Sequence, residues 1–263
     1  MTIDVHAHIF PQIIAEKASA NIGNFYGIGM KYDGTRETLI REGTAAGVDK
    51  FVVYSVSTTP KQVDSINRFI CDSVKKYPDK FIGFATLHPN SENLEEQFEW
   101  AMQNGLKGIK LHPDFQEFDI NDPKAYKIYE LAEGRCPIVI HMGDQRTQFS
   151  KAEKLVPVLE KFGDLDVIAA HFGGYSEWGN SAAFLSMTHA YVDTSSSMFA
   201  LRPDQVRELI DIYSPERVMF GTDYPMWDAK DELEYLSKVH LSENERELIL
   251  HGNIERLLAK YEK

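Results

Sequence analysis

The chain has 263 residues, of which 43% are hydrophobic and 26% charged. Those proportions suit a folded core and exclude wholesale disorder or a collagen-like repeat, and the length fits one α/β barrel of roughly 250 residues better than two enzyme domains with a linker. With 28 basic against 40 acidic residues, the net charge of −12 argues against a broad nucleic-acid or anionic-membrane footprint.

The first apolar run covers residues 3–8. It leaves no room for a cleaved leader, and no run of 18 apolar residues follows anywhere, so the expected setting is soluble and cytoplasmic. Residues 21–35 contain four glycines and predict a long loop that lies over the first strand's end as a lid. A helix over 35–46 ends at Gly47. Strand 51–57 leads to helix 62–76, which Pro78 stops. Strand 81–88 leads to helix 94–103, strand 108–112 to helix 123–132, and strand 137–141 to helix 151–161. Strands 167–171 and 191–195 follow, then helix 204–212 and strand 218–223. Helical patterns over 231–239, 243–250 and 254–261 close the chain. The strand runs are rich in Val, Ile and Phe, as buried parallel strands are. Eight strand-helix units predict a single (β/α)8 TIM barrel over residues 1–263 with its site at the C-terminal ends of the strands. No glycine-rich dinucleotide fingerprint follows the first strand. Cys71 and Cys136 are too few for a disulfide framework and read as buried, reduced side chains.

Six of the nine histidines (His6, His8, His88, His112, His141 and His171) stand at or beside strand ends. Asp223 closes the eighth strand in the same way. His6 and His8 are two apart on a strand, so both point to one face. Converging imidazoles need polar partners when buried, and a divalent cation supplies one. With His141, His171 and Asp223 at equivalent ends, the set is a mixed N/O shell suited to Zn²⁺, with Mn²⁺, Co²⁺ or Fe²⁺ as alternatives. Such an ion activates water near neutral pH.

The segments DVHAHIFP (4–11), IVIH (138–141), AAHFGG (169–174), GTDYP (221–225) and HGNIERLL (251–258) together resemble the amidohydrolase superfamily, in its amidohydrolase-2 branch of hydrolases and non-oxidative decarboxylases. The resemblance runs from residue 4 to residue 258. It implies one metal ion held by His6, His8, His141 and Asp223, with His171 contacting water or substrate. It also implies Asp223 and His171 as catalytic residues; metal sites vary within the family, so the alternative has His171 as a ligand and Asp223 mainly as the proton shuttle. Lys110 stands where many members carry a bridging, carboxylated lysine. It can equally hold an anionic substrate group, act as a cation beside the metal, or form an ion pair. His112, Arg146 and Tyr224 are candidate substrate contacts, with loop hydrogen bonding, solvation and plain packing as their respective alternatives. His88, Asp144, Gln145, Arg202 and Trp227 are weaker candidates, and Phe25, Tyr26, Met30 and Tyr32 are expected to cap the site. The expected reaction is metal-assisted hydrolysis of an amide, ester or lactone in a small molecule. The rival is non-oxidative decarboxylation of a small aromatic or unsaturated acid at the same metal, which an arginine aimed from the pocket wall would favour. No nucleic-acid or membrane partner is expected, and a homodimer is in keeping with the resemblance.

Overall fold

A computed structural model describes residues 1–262. Its strands are all parallel and form two hydrogen-bonded sets, β1 (Ile3–His8), β2 (Lys50–Tyr54) and β3 (Phe81–Gly83), then β4 (Ala85–Thr86), β5 (Ile109–Leu111), β6 (Ile138–Ile140), β7 (Val167–Ala169), β8 (Tyr191–Asp193) and β9 (Val218–Met219). β3 and β4 are one strand interrupted at Phe84. Phe84 N donates to Val53 O at 3.0 Å on one side, and Ala85 N to Gly108 O at 2.8 Å on the other. The last seam closes where Val5 N donates to Phe220 O at 2.9 Å and Asp223 N to His6 O at 2.8 Å. The result is the TIM barrel expected from the alternation, with eight staves. Gly108 is required beside the interruption, because a Cβ there would lie 2.5 Å from the Phe84 ring.

Two apolar layers hold the barrel. Alternate strand residues such as Phe51, Val53, Ile109, Leu111, Ile138 and Ile140 pack outward against the helices. Tyr54, Phe84, Val139, Ile168 and Met219 pack together in a second cluster with Ile3 and Val5. Burial of side chains of this size stabilises by roughly 1.5–3 kcal/mol each. β1 changes parity midway. Its pairing with β2 shifts between Asp4 and Ala7, so Ile3 and Val5 join the second cluster while Ala7 and Ile9 join the outer layer. A bulge at such a position re-aims side chains, and here it re-aims His6 and His8.

Several helices match the periodicity closely, among them Leu94–Gln103 and Pro123–Ala132. The strands are shorter at their C-terminal ends than the apolar runs. His171 (φ 62°), Ser196 (φ 45°) and Asp223 (φ 68°) leave the ladder through the left-handed region, which is costly for residues with a Cβ and recurs at functional sites. The expected loop over 21–35 is a loop only in its second half. Helix Gln12–Tyr26 fills the space after β1 and ends at Gly27, which caps it in the left-handed conformation. No helix among the described residues is long and apolar enough to cross a membrane.

Candidate active site

The floor of the site is built by β1 and the turn after β9. Asp223 Oδ1 lies 3.5 Å from His6 Nε2 and 3.6 Å from His8 Nε2. The opposite nitrogen of His6, Nδ1, donates to Asp193 Oδ2 at 2.8 Å, which leaves the Nε2 lone pair facing the site. Lys110, fully buried, points its ammonium at that lone pair from 3.2 Å and sits 5.0 Å over the Tyr54 ring. The second carboxylate oxygen of Asp223 accepts from Ser196 Oγ at 2.6 Å, and Trp227 Nε1 donates to the same hydroxyl at 2.8 Å. Asp223 is thereby fixed with Oδ1 toward the imidazoles.

A second group of rings stands beside it. His171 Nδ1 lies 3.1 Å from Ser195 O. A carbonyl only accepts, so Nδ1 carries the proton. His171 Nε2 then accepts from His141 Nδ1 at 2.9 Å. This assignment leaves His141 Nε2 as a buried lone pair with no hydrogen-bond partner, 3.4 Å from Asp114 Oδ2. His112 stacks on His141 with ring centroids 3.9 Å apart.

Burial is the largest influence on each of these groups. It holds His6, His8, His112 and His141 well below the usual histidine range, and the charge of Lys110 adds to the effect. His171 falls to about 4. The imidazoles are therefore neutral, and His6 and His141 turn an Nε2 lone pair to the site, while both nitrogens of His171 and His112 are engaged. Asp223 is raised to about 6 by burial, against the opposing pull of the Ser196 hydrogen bond and the Lys110 charge. Lys110 is lowered to about 8, again by burial. A buried lone pair on His141, neutral imidazoles on β1 and a carboxylate between them fit a divalent cation. Three three-residue groups have the spacing to grip one: His6 with His171 and Asp193, His6 with His8 and Asp223, and His112 with Asp114 and His141.

Above the floor is a cavity of about 540 Å³, lined by His6, His8, His112, His141, His171 and Asp223 at one end. Helix Gln12–Tyr26 roofs it with Ile14, Ala18, Ile22, Phe25 and Tyr26. Tyr26 OH meets His112 Nε2 at 3.1 Å.

The structure thus brings His6, His8 and Asp223 together, whereas His141, expected in the same shell, groups with His112 and Asp114 and is bonded to His171. His112 lines the cavity. Other candidates lie elsewhere. Lys110 is not part of the lining, because its ammonium is turned onto His6 beneath the cavity. Arg146 also lies outside the lining. Asp144, two residues back, captures its guanidinium at 2.6 Å and directs it to Phe25 O, also at 2.6 Å, at the C-terminal end of the roof helix. Tyr224 donates to Thr35 O at 2.8 Å and stacks on Tyr32, so both rings pack away from the cavity. His88 Nδ1 accepts from the backbone of Asn90 at 3.2 Å, and Arg202 pairs with Asp204 on the surface. Phe25, Tyr26 and Met30 do line the cavity.

Asp114, Asp193, Ser195 and Ser196 were not singled out from the sequence. Asp193 and Ser195 end a strand-like run in the same way as Asp223, and that signal was available. Asp193 takes His6 Nδ1, His171 N at 2.9 Å and Ser195 N at 3.0 Å, so it ties three stave ends together.

The family model described as amidohydrolase matches residues 3–260. Among solved structures, an uncharacterized TIM-barrel protein from Bordetella bronchiseptica superposes with a TM-score of 0.80 at 21% identity, covering 100% of this chain and 99% of that one. A dihydroxybenzoic acid decarboxylase from Polaromonas, with bound manganese and the inhibitor 2-nitroresorcinol, gives 0.77 at 16% identity over 98% and 96%. A probable 2-pyrone-4,6-dicarboxylic acid hydrolase from Acinetobacter baumannii gives 0.74 at 17% identity over 98% and 99%.

Proposed function

We propose that this chain, which belongs to the amidohydrolase family over residues 3–260, is a metal-dependent hydrolase that opens an amide, ester or lactone carbonyl in a small molecule. The observation that carries the reading is the position of Asp223 Oδ1, within 3.6 Å of both His6 Nε2 and His8 Nε2 at the floor of a closed-over cavity.

His6, His8, His141 and Asp223 would hold the ion, and zinc is the ion we assign. A divalent cation bound there supplies Lewis acidity and lowers the pKa of water to about 7. The protein's own groups do the rest. Asp223, with its pKa raised to about 6, is ionised near neutral pH and still basic enough to take a proton from the attacking water. It then gives that proton to the leaving group. Ser196 and Trp227 keep Asp223 from rotating. His171 donates from Nδ1 to Ser195 O and accepts at Nε2 from His141 Nδ1, so in this arrangement it orients His141, and it would reach water or the developing oxyanion by exchanging that His141 bond.

A second reading is decarboxylation of a small carboxylic acid. The raised pKa of Asp223 supports it, since a protonated Asp223 could deliver a proton to carbon. Purified protein assayed with divalent metal on small esters, lactones and carboxylic acids tests both. Hydrolysis abolished by chelation and restored by one equivalent of metal supports the first. Stoichiometric CO₂ release without hydrolysis supports the second, and full activity after complete metal removal overturns both.

A further inference from the structure

The cavity walls are apolar on both sides. Ile14, Ile22 and Phe25 on the roof helix join Ile66, Phe69 and Phe115 in the lining. Asn21, Thr58, Gln62 and Ser65 add neutral polar groups. Among the described residues, the lining includes no lysine or arginine. Three cations near the cavity are held by other partners. Lys110 is turned onto His6 Nε2 at 3.2 Å. Arg146 is held by Asp144 and Phe25 O. Arg36, 5.5 Å over the Phe69 ring, is bonded to Glu37 and Ser73. The one ionisable carboxyl in the lining is Asp223.

An anionic group is costly to place where no cation or donor array receives it. At the floor a carboxylate or developing oxyanion has the imidazoles and the ion they would hold. Along the walls it meets mostly hydrocarbon and a few neutral polar side chains, with no cation to balance it. The volume of about 540 Å³ falls within the usual range for small-molecule sites, roughly 300–1,000 Å³. From this we infer that the site takes single-headed substrates. One polar reacting group binds at the His6–His8–Asp223 floor, the body is apolar, and no second anionic group is carried on that body. This inference rests on the metal-centre reading above and adds a charge rule that the reaction type does not contain.

The test uses the full chain loaded with zinc, its metal content measured first, and two probes with the same chelating head. Benzohydroxamic acid presents an apolar body, and 4-carboxybenzohydroxamic acid adds a distal carboxylate. Calorimetric titration should show the first binding at least tenfold more tightly. The Ile66→Lys variant, which places a cation in the wall, should narrow or invert that preference without changing metal content. Equal or tighter binding of the carboxylated probe to the wild-type chain overturns the charge rule. A metal-loaded chain that binds neither probe overturns the proposed pocket. A chain that takes up no metal overturns the metal-centre reading itself, so the failures are distinguishable.

Discussion

Tyr26 on the roof helix and His112 beyond β5 are joined by one hydrogen bond, 3.1 Å from hydroxyl to Nε2. His112 Nδ1 accepts from Phe115 N at 3.3 Å, so the proton sits on Nε2 and is donated to the tyrosine oxygen. This contact ties the roof to the imidazole cluster. Tyr26→Phe leaves that N–H buried without an acceptor, at a cost of about 1–3 kcal/mol. Amide exchange across residues 12–26 should therefore quicken by about tenfold, and KM should rise more than kcat falls. Unchanged protection of those amides would contradict the tie.

Arg146 tests the same roof from outside the cavity. Its guanidinium lies 4.6 Å over the Phe25 ring and 5.0 Å over the Tyr26 ring, while it donates to Phe25 O near the helix C-terminus, where a cation is favoured. The group is partly exposed, so the contribution is modest, about 1 kcal/mol. Arg146→Met should loosen the roof and raise KM by a similar factor for neutral and anionic substrates. A loss confined to anionic substrates would return Arg146 to the substrate-binding role that its place after β6 had suggested.

The contrast between these residues shows where sequence reasoning stops. His6, His8, His141, His171 and Asp223 were legible because each closes an apolar run, and parallel strands align their C-terminal ends at one mouth. The roof helix was not. Gly23 lies inside it and Gly27 just beyond, and glycines weaken helical patterns whether or not tertiary packing rescues them. Arg146 and Lys110 were identified as charges near the site, but their direction depends on Asp144 and His6. The Lys110–His6 contact crosses between staves and the Asp144–Arg146 contact lies within one irregular loop, so neither leaves a local periodicity. The β1 bulge is equally silent in the residue pattern, although it turns Val5 and the two histidines inward together.

Asp193 is expected to act on the metal through His6. It fixes the His6 tautomer by accepting from Nδ1 at 2.8 Å, and partners of this type change metal affinity by roughly 10–100-fold. Asp193→Asn should weaken zinc binding by that factor in a chelator competition while the far-ultraviolet circular dichroism stays the same. Asp193→Glu should recover part of the affinity only if the longer side chain still reaches Nδ1. Wild-type affinity in Asp193→Asn would remove Asp193 from the metal centre.

Asp223→Asn separates proton transfer from ligation. The single amide oxygen, placed where Oδ1 stands, can still coordinate weakly while the amide NH2 faces Ser196 Oγ, but the amide cannot shuttle a proton. Activity should fall by about 10²–10⁴-fold, with metal retained or only partly lost. Near-wild-type turnover in a fully loaded sample would refute the shuttle role.

Glu232, on helix Ala229–Ser237, offers a test of stability at a residue outside the cavity lining. It is buried, its Oε2 has no hydrogen-bond partner, and burial followed by the charge of Asp4 raises its pKa to about 8 from an ordinary 4.5. The folded chain therefore keeps a proton that the unfolded chain releases between pH 4.5 and about 8. Across that window stability falls as pH rises, by at most about 1.4 kcal/mol per pH unit from this group. Glu232→Gln stays neutral throughout. Its Tm should lie close to wild type near pH 4.5 and exceed it progressively toward pH 8, with the gap constant above that. Asp231, Asp223 and Asp228, the acids that add to the rise, are the same in both proteins and cancel in the comparison. Parallel Tm curves over the whole range would mean that Glu232 is ionised in the folded chain at neutral pH and has found a partner for its charge.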